Sequence, residues 1–343
     1  MFYKVFLKTI DPTQVNKHLQ NQQVAWGPEY LFRPLTNQCK PKDMKRLFEK
    51  DLKTGDILIF EIVDIDLIEL YNKVRKDVQH QHDTGDFGLN AAYYLLPYLI
   101  AWFDPGKDRE HYKNIYHAAI WGSVNTKHGE KDPEKNEPRV VQAGAHGIGC
   151  ASFEETVTHK AVKNVYVYRR KERPANFEDK INQAVWAFYD DTTIKYSYET
   201  AWLLAVICSM RYADGGLNEL LSTILGKSLA DKVIHYVQQL IDTISDRDQK
   251  KMIVCSSLVA MIYKNAGFGL EIKALEEVSE LAGPHLLSGV KPELLLFGAN
   301  NNSTELQVPN LESAQTIVTP RQLTESPDVE LVGYLPHEIP IRP

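Results

Sequence analysis

Cysteine and long apolar runs are scarce in this chain of 343 residues. Its four cysteines, Cys39, Cys150, Cys208 and Cys255, lie far apart and form no Cys-x-x-Cys pair. That excludes a zinc framework and a disulfide scaffold, and it fits a reducing compartment. The longest apolar stretch, Ala91–Phe103, is shorter than a membrane span and contains Pro97. No integral membrane segment is expected, and a buried core helix is favoured over a membrane-facing lid. The first residues, MFYKVFLKTIDPTQ, have neither a long apolar region nor a small-residue cleavage site, so no cleaved signal peptide is expected. No basic stripe with interleaved aromatics occurs, which argues against a nucleic-acid partner.

What is present is the composition of a soluble globular protein, with 43% hydrophobic and 24% charged residues. The length suits one large domain or two ordinary ones. The net charge of -6 is unevenly placed: from Phe268 onward there are 11 acidic and 4 basic residues.

The pattern along the chain is α+β. A Lys-Thr-Gly-Asp turn leads into the β-branched run Ile57–Val63. Residues 66–112 read as helical, broken by the polar HQHDTGD segment. Ile115–Val124, Val140–Ala143 and Asn164–Arg170 read as strands, and GAHGIG, after the third of these four runs, as a flexible loop. Helical periodicity marks Ala175–Tyr189, Tyr198–Met210, Gly216–Leu225 and Leu229–Thr243. A further helix is expected over Cys255–Ala266, stopped by Gly267, another over Ile272–Leu281, and a last strand over Val329–Leu335.

The position of Cys255 carries chemical meaning. It stands where an apolar helix begins, with Ser256 and Ser257 in the first turn. The positive end of the helix dipole favours thiolate, the nucleophilic form. Taken alone, a cysteine there is more often a small buried hydrophobe. A nucleophilic thiol also needs a base, and the base needs an orienting partner. His117 is the candidate base, on a strand whose alternation puts Ile115, His117, Ala119 and Trp121 on one face. Gln142, on the next strand, offers an amide oxygen that can fix the imidazole tautomer. His146, in the glycine-rich loop, competes for that orienting role. His80, His82 and Asp83 make a candidate metal clip with no evident third and fourth ligands, so a solvated loop is the expectation there. No metal and no cofactor are expected.

Four strings occur in order: Gly55-Asp56-Ile57-Leu58, Tyr116-His117-Ala118-Ala119-Ile120, Val140-Val141-Gln142-Ala143 and Cys255-Ser256-Ser257-Leu258-Val259. Together they resemble the circularly permuted branch of the NlpC/P60 papain-like superfamily, which includes YiiX/YaeF-like proteins and lecithin:retinol acyltransferase. In that branch the histidine strand precedes the cysteine helix. The segment from Thr319 to Leu323, with Ser326-Pro327 and VELVGYL, is similar to the closing part of YiiX-type domains. The resemblance covers roughly residues 50–170 and 190–335. It implies a small antiparallel sheet or barrel with a cysteine-bearing helix. It also implies an N-terminal extension over 1–45, a permuted papain-like domain over 46–343, and helical insertions at about 64–112 and 203–248. Two departures stand out: Gln142 replaces the usual Glu or His, and the stretch before Cys255 has grown into a helical insertion.

The resemblance implies a thiol hydrolase or acyltransferase acting on an amide, ester or thioester bond. Cys255 attacks, His117 moves the proton and Gln142 orients His117. Peptide, lipid or acylated-protein substrates are the expected partners, and no feature sets an oligomeric state. Tyr198 is expected to line the pocket and Ala91–Phe103 to pack on the far side of the sheet. The alternative is a papain-like binding module without turnover, which a Cys255–His117 pair held far apart would favour. The expected location is cytoplasmic. The Asn/Lys/Gln-rich character and the acidic C-terminal part suggest, as a second location, a bacterial effector delivered into a host cell without a cleaved signal peptide.

Overall fold

The structure is a computed structural model. It describes residues 44–85, 88–103, 114–130, 132–144, 147–196, 252–272 and 318–337, and positions 201, 227, 230–232 and 235. Chain contacts define two compact units, residues 1–42 with 64–95 and residues 43–63 with 96–343.

In the first unit, helix α1 (Leu67–Thr84) starts at Asp66, whose carboxylate accepts from the Ile68 and Glu69 N–H groups. Gly85 ends it in the left-handed region, at φ 82°. His80, His82 and Asp83 therefore lie in the last turns of a helix, not in a loop. The helix continues there because the left-handed stop it needs comes only at Gly85. Buried Asp77 accepts from the N–H groups of Asn90 and Ala91, and so caps the start of helix α2 (Asn90–Phe103). Ala91, Ala92, Leu95, Leu96, Tyr98, Leu99, Ile100 and Ala101 are buried in α2, as expected of a core helix. Among the described residues, no helix is long and apolar enough to cross a membrane.

The second unit is built on one mixed-length antiparallel sheet. Its strands are β1 (Ile57–Ile62), β2 (Ile115–Val124), β3 (Glu137–Gly144), β4 (Gly147–Ala151), β5 (Val162–Arg170) and β8 (Val329–Pro336), in the order β4-β3-β2-β1-β5-β8. The sheet is open, with β4 and β8 as its end strands, so of the expected sheet or barrel it is the sheet that forms: among the described residues no bond pairs the two ends. A separate parallel pair joins β6 (Lys195–Tyr196) to β7 (Met252–Ile253). Around the sheet lie helices α3 (Phe153–Val157), α4 (Phe177–Asp190), α5 (Cys255–Asn265) and α6 (Pro320–Thr324).

Strand β1 is buried at all six residues because both of its faces are covered. On one face Ile57, Ile59, Ala118, Ile120 and Val141 meet Ile181 and Val185 of α4 and Leu258, Val259 and Ile262 of α5. On the other, Leu58, Phe60, Ala119, Trp121 and Val140 meet Leu47, Val157 and Leu335. Each such aliphatic side chain contributes about 1.5–3 kcal/mol on burial. The apolar stripe on α5 is therefore what fixes the helix, and with it Cys255, against β2.

The turn before β1 is held tightly. Buried Asp56 accepts from Arg169 Nε at 2.7 Å and Nη2 at 2.6 Å, and from the Lys53 N–H at 2.8 Å. Gly55 has φ 86°, and a Cβ there would meet the Phe177 ring at 2.8 Å, so this position requires glycine. Tyr263, from α5, donates its hydroxyl to the Gly55 carbonyl at 2.5 Å.

Candidate active site

Strand β2 carries one more residue than β1 along their shared edge. Phe60 pairs with His117 but Glu61 pairs with Ile115, so Tyr116 is the extra residue of a β-bulge. A bulge re-aims the side chains beside it. This corrects the expected single face: Ile115 falls in the first core cluster, whereas Ala119 and Trp121 fall in the second. The His117 ring stands edge-on to Phe60, with centroids 5.1 Å apart, and stacks on Tyr116 at 5.8 Å. Those two rings limit its rotation.

Gln142 Oε1 lies 2.7 Å from His117 Nε2. An amide oxygen can only accept, so Nε2 carries the hydrogen. That leaves Nδ1 as the nitrogen free to serve the Cys255 thiol, and the two residues lie close enough for each to shift the other's ionisation. Cys255 is 4% exposed, and it is the first residue of α5 after the extended Val254. The structure thus brings the sequence-derived trio together, with Gln142 bonded to His117 and His117 beside Cys255.

Electrostatics favours the charged pair. Burial of the sulfur pushes the thiol up, but the charge of His117, its hydrogen bond and the N–H groups of Ala118 and Ser256 outweigh burial. The net shift of Cys255 is downward. Burial pushes His117 down, but the Cys255 charge and the bonds to Cys255 and Gln142 reverse this, and its net shift is upward. Both shifts point to thiolate and imidazolium. Neutral Gln142 supplies a hydrogen bond to that imidazolium and no charge.

The pattern of strings did not single out Tyr116 beyond its aromatic character. It is half-buried beside the pair, and burial and the Cys255 charge push its phenol above the ordinary range. It therefore stays a neutral hydroxyl. Its neighbour position, directly before the histidine, was the available signal.

Tyr198 and His146 lie outside the described residues. The helices expected within 203–248 and over Ile272–Leu281 fall largely outside them too. At an exposed helix end, Asp83 accepts from Gln79 and lies 3.1 Å from His82 Nδ1. Among the described residues, no cluster of three or more His, Cys, Asp or Glu side chains could hold a metal ion.

Comparison with family models, curated proteins and solved structures finds no match to this chain.

Proposed function

We propose that this protein is a thiol hydrolase or acyltransferase, of the permuted papain-like type that its ordered strings resemble. The observation that carries the reading is the Cys255–His117–Gln142 chain, in which each ionisable partner is shifted toward its charged form. A binding module without turnover has no need of such a pair.

The chemistry follows from the geometry. The Cys255 thiolate attacks a carbonyl carbon of an amide, ester or thioester. The oxygen that becomes negative is stabilised by the Cys255 N–H, one of the first-turn donors that an α-helix leaves without an internal partner. His117 Nδ1–H then protonates the leaving group as the carbonyl re-forms, which leaves a thioester on Cys255. Water or a second acceptor, deprotonated by Nδ1, attacks that thioester and restores the thiol. Throughout, Gln142 holds Nε2–H, so the ring keeps the tautomer that each step needs.

An activity-based thiol probe tests this reading. The wild type is expected to label at Cys255. Cys255→Ala should abolish labelling, and His117→Ala should slow it by roughly 10²–10⁴-fold, the range of a general acid–base contribution. A wild type that never labels, or labelling that survives Cys255→Ala, would overturn it.

A further inference from the structure

The first turn of α5 is tied to a distant piece of the chain. Ser256 is fully buried, and its hydroxyl donates to the Val318 carbonyl at 2.5 Å. In return, the Val318 N–H donates to the Ser257 hydroxyl at 3.4 Å. Two adjacent serines therefore grip one residue by both of its backbone polar groups.

Val318 is itself firmly held. Thr319 follows it as the N-cap of α6, accepting from the Gln322 N–H at 3.1 Å, while Gln322 Oε1 accepts from the Thr319 N–H at 2.8 Å. Thr319, Arg321, Gln322 and Leu323 are all buried. A buried polar segment whose backbone groups are satisfied has few alternative arrangements.

The same Ser256 also bears on the nucleophile: it follows Cys255 directly in the first turn of α5, and its backbone N–H favours the charged sulfur. Its hydroxyl is fixed on Val318, and its amide belongs to the peptide group next to the thiol's own residue. We propose that the segment from Val318 to Thr324 clamps the nucleophile's helical turn, with Ser256 as the positioning residue that aims its own N–H at Cys255. This rests on the reading of Cys255 as the nucleophile.

The test uses the full chain with Ser256→Ala and the milder Ser257→Ala, each checked for folding by urea melt. Alkylation of Cys255 by iodoacetamide is followed against pH by mass spectrometry of its peptide, and amide exchange is followed over 318–324. In Ser256→Ala the alkylation midpoint should rise by roughly one pH unit, which is about tenfold slower reaction below both midpoints. Ser257→Ala should shift it less. Exchange over 319–323 should quicken in both variants. A folded Ser256→Ala whose alkylation profile superimposes on the wild type overturns the proposal; if that variant fails to fold, an unshifted Ser257→Ala profile does so. A wild-type thiol that titrates like a free cysteine sinks the hydrolase reading instead. The exchange rates then decide the clamp by themselves: quickened exchange upholds it and unchanged exchange removes it.

Discussion

Strand β1 has a buried charge pair near each of its ends, and the two pairs are built differently. At the start, the Asp56 carboxylate is met by two nitrogens of Arg169 and by the Lys53 N–H. Arg169 Nη2 also donates to the Asp51 carbonyl at 2.9 Å. Beside Phe60, further along the strand, His117 and Cys255 form the other pair. The first pair joins a guanidinium, which never gives up its proton, to a carboxylate that accepts from two of its nitrogens. The second joins two groups whose protons can move near neutral pH. Hydrogen bonds at a fixed ion pair hold the fold together. Similar bonds at a movable proton instead set where that proton resides.

The largest contrast is expected from removing one member of each pair. Asp56→Ala leaves the Arg169 guanidinium facing a void, with only 19% of its side chain exposed. Such a loss costs about 3–5 kcal/mol, to be read as a lowered urea midpoint. The folded fraction should keep its Cys255 reactivity. His117→Ala should do the reverse, with reactivity lost and a midpoint that moves far less. Equal loss of stability in the two variants would erase the distinction.

Gln142 sharpens the comparison with a smaller effect. Gln142→Ala removes a hydrogen bond to a charged group, worth about 1.5–3 kcal/mol. Turnover should fall by roughly 10–150-fold. Gln142→Glu adds the charge that the natural residue lacks, and so should move the upper limb of the pH profile to higher pH.

The pH profile itself gives the subtlest test. The Cys255 pKa is lowered, so thiolate is present from below the ordinary thiol range upward. The His117 pKa is raised, so the imidazolium is lost only above the ordinary imidazole range. Acylation needs both charged forms. The rate constant kcat/KM for acylation should therefore plateau between these two limits and fall on either side. A profile that simply climbs with thiol ionisation, with no upper limb, would show that His117 gives no proton.

Much of this arrangement is legible in the residues themselves. Ile115–Val124 forms β2 with the expected bounds, and α5 begins at Cys255 and is followed by Gly267 at φ 81°. These elements have strong local signals: an apolar run, a helix with no breaker, a glycine stop. Strand β4 is different. Its opening Gly-Ile-Gly reads as the end of the flexible GAHGIG loop, and it becomes a strand only because β3 offers it a ladder from Val140 to Gly144. The Tyr116 bulge is equally silent, since it is a mismatch between two strands far apart in sequence. The grip on Val318 is hidden for the same reason. Nothing in Val-Thr-Pro-Arg-Gln shows that two serines of a distant helix will hold it. The trio of Cys255, His117 and Gln142 could be found because residue type constrains chemistry strongly. Its supports are generic polar groups whose meaning depends on what lies opposite.

The clamp also sets a timetable. On a growing chain the His117 and Gln142 strands are made first, the Cys255 helix later, and Val318 with β8 later still. Synthesis is slow beside the closing of loops, so the early strands can pair while the remainder is being translated. During that interval the thiol has no Val318 beneath its first turn. A thiol without that support is closer to an ordinary cysteine, less nucleophilic toward bystander carbonyls and less prone to oxidation. On the reading of Cys255 as a nucleophile held by this clamp, the arrangement delays the thiol's full reactivity until the last strand of the sheet is made.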